Sequence, residues 1–276
     1  MEKEDCRFNT IHLFNQNINH EEIMKMIYTM HNTICFSTFP YLKYNERNSS
    51  ESIQHYNSGN CISFVYFMKM YLFNNYHVKS YIIGASVPSI FKVDGTPQMC
   101  HCALLIPLSL HEFYILDGAL YFLEPMYCNL YELKERVINI SNIYSYKKDR
   151  VVYSLLPCEE RQLDIDYNQT LPEYCLCLKC YFEDMKSDVW SYYLCEIENP
   201  DNNIGHSFLL HKPEPFMLYT RFDGEDIQLK YKIQIINDEY VVTNYPESIE
   251  IYRGNGKDSK FMKIYRNLAQ YFRDKL

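Results

Sequence analysis

The sequence predicts an α+β fold with a helical N-terminal lobe (residues 1–76), a β-rich central lobe (77–200) and a mixed β/α C-terminal lobe (201–276). Three observations lead to this prediction. Apolar residues at helical spacing mark the first lobe, and short apolar runs between turn residues mark the second. The third lobe combines short apolar runs of the same kind with a final amphipathic segment. Because no repeat and no low-complexity linker interrupts the chain, we expect one continuous fold.

Two helices are predicted in the N-terminal lobe. Residues 19–31 begin with Asn19, a good N-cap, and have two glutamates in the first turn and apolar residues at helical spacing. Residues 61–73 are apolar on every side apart from one lysine, which is typical of a buried helix. Residues 45–59 between them are polar and predict a loop.

The central lobe begins with three β-type runs. They cover residues 78–85, 99–108 and 113–119, separated by a Pro- and Gly-containing loop at 87–98 and a short turn at 109–112. Beyond them the pattern is again mostly β. Strands are predicted at 151–155, 192–197, 227–236 and 240–243, and an amphipathic helix at 258–275.

The composition is that of a folded, acidic protein. Hydrophobic residues make up 47% and charged residues 22%, and the net charge is −8. A surface with this charge repels phosphate backbones, so we expect no nucleic-acid partner. The N-terminus lacks the apolar stretch of an export signal and no run is long enough to span a membrane, so we expect a cytoplasmic protein without a membrane partner. The eleven cysteines are then expected to be free thiols.

Cys61 is the candidate nucleophile. It follows Ser58-Gly59-Asn60 and opens the predicted buried helix, whose N-terminus favours a thiolate. Gly59 allows the close backbone approach that an oxyanion site built from main-chain N–H groups requires.

His101 and Asp117 are the candidate base and its orienting carboxylate. They lie on the two strands of the predicted hairpin, and the midpoint of their numbers, 109, falls in its turn. We therefore expect them to face each other across the hairpin. Each residue alone has a simpler explanation, because histidines on apolar strands and cysteines in apolar surroundings are usually core residues. The combination of the three favours a Cys61–His101–Asp117 triad.

Three closely spaced cysteines near residue 178 are candidates for a zinc site. Cys175, Cys177 and Cys180 could supply three ligands, with His206 or His211 as the fourth. A second closely spaced pair is missing, and the residues between the cysteines fit a β-strand. We therefore expect no metal.

Several segments resemble the arylamine N-acetyltransferase family of the transglutaminase-like, papain-like Cys-His-Asp superfamily. Residues 101–106 resemble its H-x-x-L-x-V strand, and residues 114–118 with the later Pro125 resemble its D-x-G-F-G segment. Residues 31–36 and 190–196 are similar to its H-x-x-x-I-P-F and W-x-x-L-Y-x-F segments. His101 follows Cys61 by 40 positions and Asp117 follows His101 by 16, which is close to the spacings in the family.

The resemblance implies a barrel-like central antiparallel sheet on a papain-like core, and a ping-pong acyl transfer. Cys61 would take an acetyl group from acetyl-CoA and pass it to a small-molecule amine, hydrazine or hydroxyl acceptor. The segment with His211, Pro213 and Phe216 weakly matches one near the family's cofactor, although a surface turn explains it better. The sequence has Asn57 and Ser63 where the family motif R-G-G-x-C-x-E has Arg and Glu, and it lacks the second Gly of D-x-G-F-G.

Two other functions remain open. A transglutaminase-like peptidase or amidase uses the same triad on an amide instead of a thioester. A catalytically inactive interaction module of the same fold is the third, and the motif departures are its best support.

Overall fold

The computed structural model describes residues 8–92, 97–157, 176–204, 214–256, 259–261 and 263. Two mainly antiparallel sheets and several helices make up this part of the chain. None of its helices is long and apolar enough to cross a membrane. The helices are α1 (His20–Thr33), α2 (Phe39–Leu42), α3 (Ser49–Tyr56), α4 (Cys61–Tyr76) and α5 (Pro200–Asn203).

Strands dominate the chain after α4, as the sequence predicted. They are β1 (Phe8–Thr10), β2 (Cys35–Ser37), β3 (Ser58–Gly59), β4 (Tyr81–Ala85), β5 (His101–Pro107), β6 (Glu112–Leu116), β7 (Met126–Asn129), β8 (Arg136–Asn142), β9 (Lys147–Pro157), β10 (Leu176–Phe182), β11 (Met185–Ile197), β12 (Phe216–Phe222), β13 (Ile227–Ile236), β14 (Glu239–Asn244) and β15 (Ile249–Gly254).

The larger sheet forms a nearly closed barrel. Its order is β7-β6-β5-β4-β11-β10-β9-β8, with β1 added to β11. An isolated bridge between Phe122 and Ile140 joins the segment before β7 to β8, at the opposite end of this order. The predicted α+β class with a barrel-like central sheet is therefore confirmed.

The smaller sheet combines two short strands from the N-terminal third with four from the C-terminal part of the chain. Its order is β15-β14-β13-β12-β2-β3, so strands from the N-terminal third extend a C-terminal meander. The pair β2 and β3 is parallel, and it sets the position of the turn that leads into α4. One large apolar core extends from Ile18 to Leu229. The division into three lobes stays a prediction.

Both predicted N-terminal helices are present, each with an asparagine cap. The Asn19 side chain accepts a hydrogen bond from the Glu22 amide, and the Glu22 carboxylate accepts one from the Asn19 amide, which forms a capping box. α4 is less completely buried than predicted, because Met70 and Phe73 on its outer side are about half exposed.

The loop predicted at 45–59 is wrong in its centre, where α3 forms. Its sequence lacks an apolar stripe, so periodicity gave no signal. The helix depends on its ends: the Asn48 side chain accepts from the amides of Ser50 and Glu51, and Asn57 ends it in the left-handed conformation at φ 48°.

Every strand predicted from the sequence is present, but the three predicted first are shorter than expected, and β9, β11 and β14 are longer. The surface turn suggested at 211–216 is wrong at its end, because Phe216 begins β12. Its backbone amide donates to the Thr38 hydroxyl, which ties β12 to the start of α2. Of the helix predicted at 258–275, residues 259–261 and 263 are helical, and the rest lies outside the described residues.

Candidate active site

Cys61 is the first residue of α4 and is partly exposed. The side chain of Asn60 caps the helix by accepting from the amides of Ile62 and Ser63, at 3.0 and 3.3 Å. A Cβ at Gly59 would overlap the Ser63 side chain, so the turn before Cys61 is tightly packed and requires glycine. The turn therefore holds the thiol at the positive end of the helix. The oxyanion site at Gly59 stays a prediction.

His101 and Asp117 form a buried hydrogen-bonded pair. The distance from His101 Nε2 to Asp117 Oδ2 is 2.6 Å, and the two residues are 4% and 0% exposed. Because Nε2 is used by the carboxylate, Nδ1 is the ring nitrogen left for the thiol of Cys61, which raises the pKa of the imidazole.

The register that brings His101 and Asp117 together differs from the predicted one. β5 and β6 pair Leu104 with Leu116, so the predicted direct pairing of His101 with Asp117 is wrong by two residues. Side chains alternate with a period of two, and a shift of two keeps both on the same face of the sheet. Asp117, just beyond the end of β6, is a diagonal neighbour that still reaches the imidazole.

The Asp117 carboxylate is held by four donors. Oδ1 accepts from the amides of Ala119 and Leu120, at 3.1 and 3.0 Å. Oδ2 accepts from the Tyr192 hydroxyl at 2.8 Å, in addition to His101. With its acceptor positions occupied in this way, the buried carboxylate is fixed in orientation.

Tyr192 is a residue of the site that the sequence did not reveal, and it contacts Asp117. It lies on β11, is fully buried, and its hydroxyl oxygen accepts from the Trp190 indole N–H at 3.2 Å. Trp190 was noted only as part of a family-like segment. The pairing of β11 with β4, and of β4 with β5, places this tyrosine beside Asp117.

The imidazole of His101 is held in its charged form. Burial alone would lower the pKa of His101, but the charge of Asp117 and then that of Cys61 outweigh burial and hold the pKa well above its ordinary value. An imidazolium beside the thiol favours the thiolate.

The thiol of Cys61 is correspondingly acidic. A hydrogen bond with the Cys102 thiol is the largest cause, and together with the charge and hydrogen bond of His101 it lowers the pKa of Cys61 to about 5 in spite of burial. Burial raises the pKa of other cysteines, for example that of Cys128 to about 12. Cys102, next to His101 in the sequence, was not singled out by the sequence analysis.

The weak cofactor-binding candidates are only partly described. Phe216 stacks on Phe36, with ring centroids 5.9 Å apart, and Phe36 lies 6.1 Å from Phe64 on the helix of Cys61. This aromatic row connects β12 to the nucleophile-bearing helix. His211 and Pro213 lie outside the described residues.

The zinc candidates are also only partly described. Cys177 and Cys180 are buried in the barrel core on β10. Cys175, His206 and His211 lie outside the described residues. In the part of the chain that the structure describes, one group of possible ligands brings its atoms within 4.8 Å of one another, and it lies at α3: Glu46, Glu51 and His55. Surface groups of this kind are common without a metal.

The fold is that of arylamine N-acetyltransferases. The chain is similar to arylamine N-acetyltransferase C of Bacillus anthracis, at a TM-score of 0.51 and 12% identity over 93% of each chain. A Bacillus cereus arylamine N-acetyltransferase, described as having a Cys-His-Glu catalytic triad, matches at 0.50 and 15% over 91% of each chain. The Mycobacterium marinum enzyme, solved in complex with CoA, matches at 0.50 and 10% over 93% of each chain.

These likenesses confirm the resemblance inferred from the sequence at the level of fold. No protein-family profile matches the sequence, and no curated protein matches it. At such low identity the shared fold does not by itself assign a reaction.

Proposed function

We propose that this chain is an acyltransferase that moves an acetyl group from acetyl-CoA, through an acyl-cysteine on Cys61, to an amine-type acceptor. The observation that carries the proposal is the contact series from Asp117 through His101 to an acidic thiol at a helix N-terminus. The arylamine N-acetyltransferase fold around that series supports the choice of acetyl-CoA as donor.

In the first half-reaction, the Cys61 thiolate attacks the thioester carbonyl. The negative charge that develops on the carbonyl oxygen is stabilised by the backbone N–H of Cys61, since the next two amides of α4 donate to Asn60. The tetrahedral species collapses by breaking the bond to the CoA sulfur, and His101 gives its proton to the departing thiolate. Cys61 is left acetylated, and His101 is left neutral.

In the second half-reaction, neutral His101 acts as the base. It removes a proton from the acceptor amine as the nitrogen attacks the acetyl-cysteine. The bond to the Cys61 sulfur breaks, the thiolate re-forms beside the imidazolium, and the acetylated amine leaves. Asp117 keeps the imidazole in one orientation through both steps without itself taking the proton.

The decisive test is acyl-enzyme formation. The protein is incubated with acetyl-CoA and no acceptor, and its intact mass is measured. We expect a gain of one acetyl group, located on Cys61 by peptide mapping and absent from the Cys61→Ser variant. Adding an arylamine or hydrazine should discharge the acetyl group.

Two results would favour the alternatives. Cleavage of a peptide or amide substrate without acetyl-cysteine formation would indicate a transglutaminase-like hydrolase. If Cys61 reacts with iodoacetamide at about pH 6 no faster than the other cysteines, the thiol is not activated and the chain is a non-catalytic module.

A further inference from the structure

We propose that Tyr41 and Asp201 are positioning residues for the Cys61 thiolate, acting through the Asn60 cap of α4. The inference rests on the proposed role of Cys61 and adds two residues from distant parts of the chain. Tyr41 lies on α2, and Asp201 lies on α5, after the last strand of the barrel.

The Tyr41 hydroxyl holds the capping residue by both its backbone and its side chain. The Asn60 amide donates to the Tyr41 oxygen at 3.3 Å, and the Tyr41 hydroxyl donates to Asn60 Oδ1 at 3.0 Å. Oδ1 is the same atom that accepts from the first amides of α4. One buried hydroxyl therefore fixes the residue that begins the nucleophile-bearing helix.

Asp201 fixes the direction in which the hydroxyl of Ser49 donates its hydrogen bond. Its carboxylate accepts from the Ser49 amide at 3.1 and 3.2 Å and also from the Ser49 hydroxyl. A carboxylate is a stronger acceptor than the Asn60 amide oxygen, which lies 3.2 Å from the same hydroxyl. With its proton committed to Asp201, Ser49 does not donate to Asn60 Oδ1, so that oxygen is left to accept from Tyr41 and from the first amides of α4.

Ser63 completes the network from within α4. Its hydroxyl lies 2.9 Å from the Ser49 carbonyl and 2.9 Å from the Tyr41 oxygen, and it can donate its one proton to either of them. Tyr41, Ser49, Asn60 and Ser63 are each at most 2% exposed. A buried polar network is stabilising only when its members are satisfied together, so loss of one member disturbs the others.

The consequence for Cys61 is electrostatic. The helix end lowers the energy of a nearby anion only if the first turn keeps its geometry, because the effect falls off within that turn. In the resembled family motif Arg and Glu stand at positions 57 and 63, and here Asn57 and Ser63 do. Tyr41 contacts this turn directly at Asn60, and Asp201 acts on it through Ser49.

The test compares Tyr41→Phe and Asp201→Asn with wild type, using the rate of Cys61 alkylation by iodoacetamide as a function of pH. Because Asp201→Asn also removes a negative charge, which by itself favours a thiolate, its effect should be the smaller of the two. For Tyr41→Phe we expect the apparent pKa of Cys61 to rise by about half a unit. Alkylation on the acid side of the profile then slows by about 3-fold. Tyr131→Phe and Asp184→Asn are matched controls at exposed positions and should keep the wild-type profile.

Thermal melting of the same variants separates positioning from general support. A lowered melting temperature with an unchanged alkylation profile would overturn the proposal, and so would unchanged behaviour in both measurements. If Tyr41→Phe does not fold, Asp201→Asn and Ser49→Ala test the same network from its other end. If the alkylation profiles of the variants shift but the wild-type protein forms no acetyl-cysteine, the positioning role is supported and only the proposed function is wrong.

Discussion

The Tyr192 hydroxyl and the His101 imidazole both bind the same carboxylate oxygen, Oδ2 of Asp117, at 2.8 and 2.6 Å. The tyrosine thus closes a four-membered series that runs from the Trp190 indole to the imidazole. It comes from β11, across the sheet from the hairpin that carries the other two residues. Its contacts define the first prediction.

Tyr192→Phe should lower kcat/KM for acetyl transfer by about 10-fold, because one hydrogen bond to a charged group is lost and the carboxylate is left with a vacant position. The measurement is steady-state kinetics with acetyl-CoA and an arylamine. Tyr121→Phe is the matched control: it is also buried, and its hydroxyl has no partner among the described residues. If both variants keep wild-type activity, Tyr192 does not support the site.

Asp117→Asn should reduce the rate of acetyl transfer by about 10³- to 10⁴-fold, because an amide no longer holds the imidazole in its working tautomer. It should also lower the pKa of His101, since the charge that raises it is gone. NMR titration of the ring protons measures the second effect directly. An unchanged His101 titration would contradict the assignment of Asp117 as its partner.

Cys102→Ala should raise the pKa of Cys61, since the hydrogen bond from Cys102 is the largest cause of its lowering to about 5. We expect a rise of about one unit, seen as a shift of the alkylation profile to higher pH. Cys102→Ser is the informative partner variant, because a hydroxyl is a good donor and should keep the pKa low. Identical profiles for the two variants would show that the Cys102 hydrogen bond is not responsible.

His31 should make the stability of the protein sensitive to acid. It is fully buried on α1, both ring nitrogens lack a partner among the described residues, and burial lowers its pKa to about 3. The unfolded chain protonates this histidine near its ordinary value of 6.5, so the unfolded state binds the proton first. The contribution of neutral His31 to the free energy of unfolding is fully present above about pH 6.5. It is lost as the pH falls toward 3, by at most about 1.4 kcal/mol per pH unit.

Urea unfolding at several pH values tests this. The variant His31→Leu should have a flatter dependence of the free energy of unfolding on pH than wild type has below pH 6.5. His20→Gln, at an exposed position, should follow wild type. A His31→Leu curve parallel to that of wild type would show that His31 is protonated equally easily in the folded state.

Local signals were sufficient wherever a segment's structure depends on its own residues. Asn19 and Asn60 cap helices by hydrogen bonds within three residues, so both helix starts could be located from the sequence. α3 was missed because its polar sequence has no apolar stripe and its N-terminus is also held by Asp201, a residue far along the chain. That contact has no sequence signal.

In the candidate site, too, some residues could be predicted from local sequence signals and others could not. The sequence by itself determined the fold class, the helix that carries Cys61 and the hairpin that carries His101 and Asp117, because caps, periodicity and turn residues act over a few positions. Only the tertiary structure decided the two-residue register shift and brought Cys102, Tyr192, Tyr41 and Asp201 to the three. These contacts join residues that are distant in sequence, and the packing of whole sheets and helices sets their geometry, which no local pattern encodes.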